Sequence, residues 1–337
     1  MANDETQHSA GSMRPWVALA ATNELPIVEA PVRSALADVA EVHTIALPYK
    51  PLDDNEIEHW GTQLKGASGI LLRSGYVTRA LLERLPDLRV IGVHGTGVDP
   101  VDVTACTERG VVVTNTPGAN ADAVTELTLA LMIAVLRRLT PSAQQTQFER
   151  AWDSARHTGG ELKGRTLGLV GYGEIGQRVG TIARAFGMSV VASDPGLSPE
   201  LITERGAEPM ALDALLAHAD IVSLHAPAIP ATHHMINARS LARMKPTAII
   251  INCARGTLVN ENDLAAALVA RRLGGAALDV LDGEPPDPLS PIFNAPNLVL
   301  TPHMAGSTHE CLATIARMAG EDIARVLRGE TASNSVN

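Results

Sequence analysis

Short apolar runs alternate with segments of helical period along most of this chain, a pattern typical of parallel β-sheets joined by helices. The runs fall into two series. The first predicts strands at WVALA (16–20), VHTIA (42–46), GILL (69–72), RVIGV (89–93) and VVVT (111–114). The second predicts strands at RTLGLV (165–170), SVVAS (189–193), IVSL (221–224), AIIIN (248–252), GAALD (275–279) and NLVL (297–300). We therefore expect an α/β protein whose second sheet is doubly wound.

A long apolar segment separates the two series. DAVTELTLALMIAVLR (122–137) predicts one helix, and a polar stretch without regular pattern follows it as an arm through Trp152. Such a helix is either buried in its own chain or lies at a subunit interface. A length of 337 residues also favours two domains, at about 100 to 200 residues per domain.

Charge and cysteine content limit the possible partners and compartment. The net charge is −10, with no basic run, which argues against nucleic acid or a membrane surface as the main partner. Cys106, Cys253 and Cys311 are far apart and indicate neither a disulfide framework nor a metal site. The polar start lacks a signal-peptide core, so we expect residues 1–12 to be a loose tail and the protein to be cytoplasmic.

The stretch GLVGYGEIGQ (168–177) contains a GxGxxG motif directly after a predicted strand. In a dinucleotide site, Gly171 makes the tight turn, Gly173 admits the pyrophosphate, and Gly176 lets helix and strand pack closely. The next strand ends at Asp194, near the offset at which a carboxylate binds the adenosine ribose. That carboxylate would repel a 2′-phosphate, so the sequence predicts NAD rather than NADP.

Ligands bind beyond the carboxyl ends of strands in open α/β sheets, and here those ends carry Arg255, Glu284 and His303. A guanidinium grips a carboxylate and polarises the adjacent carbonyl, which suits Arg255. A histidine exchanges a proton near neutrality, which suits His303. A carboxylate on the other ring nitrogen would orient the ring and raise its pKa, which suits Glu284. Together they predict hydride transfer coupled to proton transfer.

Several of these segments resemble one family. ELKGRTLGLVGYGEIGQRVG, ADIVSLHAPAIPATHHMIN, INCARGTLVNENDLAAAL, AALDVLDGEPP and LTPHMAGST are similar to the NAD-dependent D-isomer-specific 2-hydroxyacid dehydrogenases. The separations of 29 residues from Arg255 to Glu284 and 19 from Glu284 to His303 resemble the glycerate and hydroxypyruvate reductase branch. The resemblance implies an enzyme that interconverts a 2-oxo acid and a D-2-hydroxy acid with NAD.

The same resemblance implies roles for individual residues. Arg255 and His303 would be catalytic and Glu284 would support His303, while Asp279 would lie near the nicotinamide carboxamide. The residues that would line the cofactor are Gly171, Gly173, Glu174, Ile175, Gly176, Asp194, His225, Ala226, Pro227, Thr232, Cys253, Ala254, Arg255, Asp279, His303 and Gly306. The residues that would bind the substrate are Ser74, Gly75, Gly95, Thr96, Gly97, Arg255 and His303. Cys253 is interpreted as part of the cofactor wall and not as a nucleophile.

For the fold, the resemblance implies a Rossmann cofactor domain over 115–301 and a discontinuous, flavodoxin-like α/β substrate domain over 1–114 and 302–337. A C-terminal helix over 308–327 would return to the substrate domain, and the domains would close over the substrate. The helix at 122–137 and its arm, about 120–160 in all, resemble the family's dimerisation element, so we expect a homodimer.

The sequence departs from the family pattern in two places. Ala305 replaces a second glycine that many relatives carry, which makes that turn slightly less open. Val93 and His94 stand where phosphoglycerate dehydrogenases often have Arg-Ala, which disfavours a phosphorylated substrate. We therefore favour a substrate of the hydroxypyruvate or glyoxylate type. The alternatives are a 3-phosphoglycerate dehydrogenase, a formate dehydrogenase relative, or a binding protein that senses NADH, similar to the corepressors that share this fold.

Overall fold

The computed structural model describes residues 14–337, which divide into two compact units. One unit combines the chain up to Asn120 with His309–Asn337, and the other runs from Ala121 to Thr308. The domain limits expected from the sequence, at 114/115 and 301/302, remain a prediction. The expected tail over residues 1–12 lies outside the described residues.

The first unit is built on a five-stranded parallel sheet with the order β2-β1-β3-β4-β5. This order is that of flavodoxin-like folds, and it confirms the predicted class. The strands are β1 (Trp16–Ala20), β2 (Glu41–Ile45), β3 (Ala67–Leu72), β4 (Val90–Val93) and β5 (Val112–Thr114). The helices are α1 (Glu29–Leu36), α2 (Asp54–Gln63), α3 (Arg79–Leu82), α4 (Val103–Glu108) and, from the end of the chain, α12 (His309–Leu327).

Helix α12 packs against the sheet of this unit. Its residue Ile323 is buried in a cluster with Val17, Leu71 and Val90 from three neighbouring strands. At Gly92 in β4 a side chain would be too close, because its Cβ would lie 2.9 Å from Ile323 Cδ1. The glycine in the middle of a strand is therefore explained by the close approach of a helix.

The second unit is built on a seven-stranded parallel sheet with the order β12-β11-β10-β9-β6-β7-β8. The order reverses between β6 and β9, as in Rossmann folds. The strands are β6 (Thr166–Val170), β7 (Ser189–Ser193), β8 (Glu208–Pro209), β9 (Ile221–Leu224), β10 (Ile249–Asn252), β11 (Gly275–Leu278) and β12 (Leu298–Leu300). The helices are α5 (Ala121–Leu136), α6 (Leu139–Gln147), α7 (Glu174–Ala185), α8 (Pro199–Glu204), α9 (Leu212–His218), α10 (Ala238–Leu241) and α11 (Glu261–Val269).

Every strand predicted from the sequence is present, but two elements were missed. The short edge strand β8 was not predicted, and the arm is not irregular throughout because it contains helix α6. α6 has no buried residue, so it lacks the apolar stripe by which a helix is recognised in a sequence. Leu131 and Met132 of α5 are buried in a cluster with Leu167 of β6 and Ile249 of β10.

Two features are absent from residues 14–337. No helix there combines the length and apolar character needed to cross a bilayer. The same residues contain no group of three or more His, Cys, Asp or Glu side chains arranged to hold a metal ion.

Candidate active site

The glycine loop after β6 has the geometry of a dinucleotide site. Gly171 has a φ of +91°, and a Cβ there would lie 2.6 Å from the carbonyl carbon of His225. A Cβ at Gly176 would lie 2.5 Å from the carbonyl oxygen of Gly171, so the helix and the turn are in close contact. At Gly173, the N-cap of α7, a Cβ would meet nothing within 4 Å. The first and third glycines are thus needed by the chain itself, whereas the second leaves space at the helix N-terminus.

Asp194 follows β7 and is held by two backbone N–H groups. Tyr172 N–H donates to Oδ2 at 2.8 Å, and Gly196 N–H donates to Oδ1 at 2.9 Å. The first of these donors belongs to the glycine loop, so the carboxylate is fixed beside the turn where the sequence predicts a ribose site.

The loop after β9 lies on the other side of the point where the strand order reverses. His225 N–H donates to the carbonyl of Val170, and His225 Nε2 lies 2.9 Å from Ser223 Oγ. Burial lowers the pKa of His225 to about 4, so its ring is neutral near pH 7. The Thr232 hydroxyl donates to the Pro227 carbonyl at 2.7 Å, which closes the turn from Pro227 to Thr232, directly after Ala226.

The loop after β10 carries Cys253, Ala254 and Arg255. Asn252, which is fully buried, folds the loop back: its Oδ1 accepts from Ala254 N–H and its Nδ2 donates to the Arg255 carbonyl. Burial raises the pKa of the Cys253 thiol to about 12, consistent with a wall residue rather than a nucleophile. Arg255 Nη1 donates to the carbonyl of Ala254 at 2.8 Å.

Asp279 at the end of β11 holds the loop that contains His303. Its carboxylate is 1% exposed. Oδ1 accepts from the Thr301 hydroxyl at 2.6 Å and from Met304 N–H at 2.9 Å, and Oδ2 accepts from Ala305 N–H at 2.8 Å. Ala305 is buried, and its side chain is accommodated without positive φ. The expected contact of Asp279 with a nicotinamide carboxamide remains a prediction.

His303 is half exposed and has a φ of +51°, a conformation that non-glycine residues rarely adopt. Its N–H donates to the carbonyl of Asp279 at 2.7 Å and to that of Thr301 at 3.0 Å. These bonds, with those to the Asp279 carboxylate, hold the strained backbone in place. Such strain is a feature often found at functional sites.

The His303 ring and the Glu284 carboxylate form one pair. Nδ1 of His303 lies 2.6 Å from Oε2 of Glu284, and Oε1 of Glu284 accepts from Leu281 N–H at 3.0 Å. The hydrogen bond to Glu284 raises the pKa of His303, against the opposing effect of burial. Burial alone would raise the pKa of Glu284, but the hydrogen bond from His303 and the charges of His303 and Arg255 keep it below its usual range. The pair therefore favours a charged imidazole near neutrality.

The predicted substrate residues of the first unit lie in two loops, after β3 and β4. Gly95 accepts a hydrogen bond from Thr116 N–H, and the Thr96 carbonyl accepts one from Asn115 Nδ2 at 2.8 Å. The N–H groups of Thr96 and Gly97 have no hydrogen-bond partner within residues 14–337. Two adjacent backbone donors of this kind are suited to an anion.

The facing loop contains Ser74 and Gly75. Ser74 is fully buried, and its hydroxyl donates to the Leu47 carbonyl at 2.6 Å. Gly75 has a φ of +97°, and a Cβ there would lie 2.3 Å from Leu47 Cδ2. Both residues therefore fix the shape of this loop against the residues after β2. Their contact with substrate stays a prediction.

Sequence reasoning missed residues that hold these loops without touching a ligand. Asn252, Thr301 and Gly256 belong to this group, as does Glu261 at the start of α11. The partners of Thr301, Gly256 and Glu261 are distant in sequence, so no local pattern signalled these three residues. Asn252 binds residues of its own loop, and sequence reasoning did not single it out among the strand ends.

The chain is similar to proteins of one family. Residues 129–305 match the family model described as D-isomer specific 2-hydroxyacid dehydrogenase, NAD binding domain. The chain is 42% identical over 277 residues to the D-3-phosphoglycerate dehydrogenase of Methanocaldococcus jannaschii, covering 82% of this chain and 52% of that protein. It is 36% identical over 300 residues to the glyoxylate reductase of Thermococcus litoralis, covering 84% of this chain and 90% of that protein. This chain thus spans about half the length of the first relative and most of the second.

Among solved structures, a protein from Thermus thermophilus is similar with a TM-score of 0.83 and 36% sequence identity. The match covers 95% of this chain and 99% of that one.

Proposed function

The chain belongs to the D-isomer specific 2-hydroxyacid dehydrogenases and carries their NAD-binding domain, and we propose that it interconverts a 2-oxo acid and a D-2-hydroxy acid. The reaction moves one hydride and one proton. NAD(H) accepts or supplies the hydride when it is bound. The residues of the chain bind both reactants, exclude competing reactions and move the proton.

The observation that carries this proposal is the pair formed by His303 and Glu284. Because Nδ1 of His303 is engaged by Glu284 at 2.6 Å, Nε2 is the nitrogen that exchanges a proton with substrate. In reduction, Nε2 of the charged ring donates to the oxygen of the 2-oxo group. In oxidation, Nε2 of the neutral ring takes the proton from the 2-hydroxyl. Glu284 keeps the ring oriented and stabilises its charged form.

Two features of the chain suit the carboxylate of such a substrate. Arg255 supplies a guanidinium, which binds a carboxylate through paired donors and polarises the neighbouring carbonyl. In the first unit, the N–H groups of Thr96 and Gly97 are two adjacent backbone donors that also suit an anionic group. Ser74 and Gly75 hold the facing loop, where the substrate's R group would be selected.

The residues that would hold NAD are those at the strand ends of the second unit. The pyrophosphate fits the space at Gly173 and the N-terminus of α7, where Glu174 and Ile175 begin the helix. The ribose fits Asp194, whose fixed carboxylate would repel the 2′-phosphate of NADP. The loops containing His225, Thr232, Cys253, Asp279 and Gly306 would form the remainder of the site.

We favour hydroxypyruvate or glyoxylate as substrate. One relative of this kind is the glyoxylate reductase of Thermococcus litoralis, which is 36% identical over 300 residues. Val93 and His94 also leave no arginine directly before the loop with Gly95. Both points support a small substrate without a phosphate.

A 3-phosphoglycerate dehydrogenase is the second candidate, and one observation favours it. Arg73, directly before Ser74, lies against His94, directly before Gly95, with Nη1 3.0 Å from Nδ1 of the ring. Its Nε is buried without a partner among the described residues. A positive charge between the two predicted substrate loops suits a substrate with a second anionic group.

We also propose a cytoplasmic homodimer. Phe148 and Trp152 in the arm after α5 are 78% and 92% exposed, and exposed aromatics on one segment are typical of an interface. A double variant, Phe148→Ser with Trp152→Ser, should shift the mass measured by light scattering from two chains to one. An unchanged mass would exclude the arm as the interface.

The function is tested by following NADH absorbance with glyoxylate, hydroxypyruvate, pyruvate, bulkier 2-oxo acids and phosphohydroxypyruvate. Fast oxidation of NADH with the first two supports the favoured substrate class. Preference for phosphohydroxypyruvate, lost in Arg73→Met, supports the second candidate. Tight NADH binding without turnover of any compound would instead indicate a binding protein that senses NADH.

The cofactor site has its own test in two glycine variants. At Gly173 an added methyl group has room, and the φ of −72° is ordinary for alanine. The Gly173→Ala variant should therefore fold normally and yet bind NADH about tenfold more weakly. Gly176→Ala should instead lower the free energy of unfolding by about 1–3 kcal/mol, because its Cβ meets backbone. Equal NADH affinity in Gly173→Ala and the wild type would contradict the proposed pyrophosphate position.

A further inference from the structure

The segment that carries Glu284 is held by a second carboxylate. Glu261, the first residue of α11, accepts a hydrogen bond through Oε1 from the N–H of Asp282 at 2.6 Å. The preceding N–H, that of Leu281, donates to Glu284 at 3.0 Å. The consecutive N–H groups of Leu281 and Asp282 are therefore bound by Glu284 and Glu261. Because these N–H groups belong to adjacent peptide groups, the orientation of one affects that of the other.

The peptide bond between Leu281 and Asp282 is also in close contact with the loop of Arg255. A Cβ at Gly256 would lie 2.0 Å from the Leu281 carbonyl carbon and 2.4 Å from Asp282 N. Gly256 therefore packs directly on this peptide bond. Backbone contact on one side and the Glu261 hydrogen bond together restrict its rotation.

Asp282 makes a further link through its side chain. Its Oδ2 lies 3.1 Å from Nε2 of His234, which follows the turn closed by Thr232. The peptide that Glu261 holds is thus joined to three loops after strands β9, β10 and β11.

We propose that Glu261 is a positioning residue for the pair formed by Glu284 and His303. It touches neither substrate nor cofactor, and it acts by fixing the peptide between Leu281 and Asp282, and through it the carboxylate of Glu284. This inference rests on the proposed dehydrogenase function, in which that pair moves the proton.

The charged groups around the pair determine what loss of Glu261 would change. His303 is influenced by Glu284, Asp279 and Arg255, and Glu284 by His303 and Arg255. Glu261 itself is influenced by burial, which raises its pKa, and by Asp282, Glu284 and His234. Since Glu261 and Glu284 repel each other, removal of the Glu261 charge affects the pair in any neutral variant. Only a difference between two neutral variants, one with and one without the hydrogen-bond acceptor, reports the position of Glu284.

The test compares Glu261→Ala with Glu261→Gln. Alanine removes the acceptor, whereas the amide oxygen of glutamine can still accept from Asp282 N–H. We expect Glu261→Ala to lower the kcat for reduction by roughly 10-fold to 100-fold, as a small misplacement of a catalytic group does. The alkaline limb of its pH profile should move to lower pH, while KM and the NADH Kd stay near wild type. Glu261→Gln should restore most of the turnover rate and the wild-type profile.

Glu200→Ala is the matched control, because Glu200 also lies in the first turn of a helix, α8, and its carboxyl is bound locally, by its own backbone and by Ser198. It should behave as wild type. A readout independent of turnover is the His303 pKa measured by NMR, which should fall in Glu261→Ala and not in the control. If wild type reduced no 2-oxo acid, the proposed function would fail while this pKa comparison would still decide the positioning role. The positioning role would be overturned by an unchanged His303 pKa in Glu261→Ala. It would also be overturned if Glu261→Gln lowered kcat as much as Glu261→Ala does.

Discussion

Two histidines of this chain stand near strand ends and pair through Nδ1 with a charged side chain, but the charges are opposite. His303 in the second unit is 2.6 Å from the carboxylate of Glu284. His94 in the first unit is 3.0 Å from the guanidinium of Arg73. The partner's charge decides whether each ring can carry a proton near neutral pH.

The pKa values follow these partners. The hydrogen bond to Glu284 raises the pKa of His303, whereas burial lowers that of His94 to about 3 and the charge of Arg73 adds to this effect. Since a guanidinium donates and cannot accept, Nδ1 of His94 is the acceptor and the ring is neutral. His303 can therefore change its charge during turnover, and His94 is a fixed neutral group that joins two loops.

The largest effect that would test this contrast is expected from His303→Gln. Loss of the proton donor should slow turnover in the direction of reduction by about 10²-fold to 10⁴-fold, with the NADH Kd unchanged. The measurement is steady-state kinetics beside a fluorescence titration with NADH. His218→Gln, at the exposed end of α9, is the control and should retain full activity. Reduction by His303→Gln within tenfold of wild type would remove His303 from the mechanism.

A smaller effect is expected from Glu284→Gln, which keeps the shape of the partner and removes its charge. Because the carboxylate raises the His303 pKa, its loss lowers that pKa, so the ring loses its proton at lower pH. Reduction needs the charged ring, and its alkaline limb should therefore move to lower pH. The acid limb of oxidation, which needs the neutral ring, should move the same way. Profiles of kcat/KM that coincide with wild type in both directions would exclude the pair as the titrating unit.

The sequence predicted the residues at strand ends better than the contacts that hold them. Arg255, Glu284 and His303 were proposed as site residues because parallel strands present their carboxyl ends at one edge of a sheet, a consequence of topology alone. The local pattern carried no information about the bonds from the Asp279 carboxylate to the loop from Thr301 to Ala305. Such bonds depend on which loops become neighbours after folding.

The secondary structure likewise contains elements that the sequence pattern predicted and elements that it missed. Strands with a continuous apolar run were predicted with ends within two residues of those observed. Helix α6 was missed because none of its residues is buried, and β8 because two residues at a sheet edge are too short to show a period. The pairing of His94 with Arg73 could not be predicted from a local pattern either, because the two residues lie in loops that follow different strands.

The smallest expected effect concerns the pH dependence of stability, to which the two histidines should contribute with opposite sign and in different pH ranges. The pKa of His94 is about 3 in the folded chain and about 6.5 in the unfolded chain. Below pH 6.5 the unfolded chain binds a proton that the folded chain does not, so the free energy of unfolding falls as the pH falls. For one such group the slope is about 1.4 kcal/mol per pH unit.

His94→Gln should remove that part of the slope between pH 6 and pH 4, as measured by urea unfolding at several pH values. His225, whose pKa is lowered to about 4, should leave a remaining slope of the same sign in the variant. His303 should contribute the reverse, because a raised pKa gives stability that is present below pH 6.5 and is lost as the pH rises through the folded value. Equal slopes in wild type and His94→Gln would mean that His94 takes up its proton in the folded chain, and the contrast between the two rings would no longer hold.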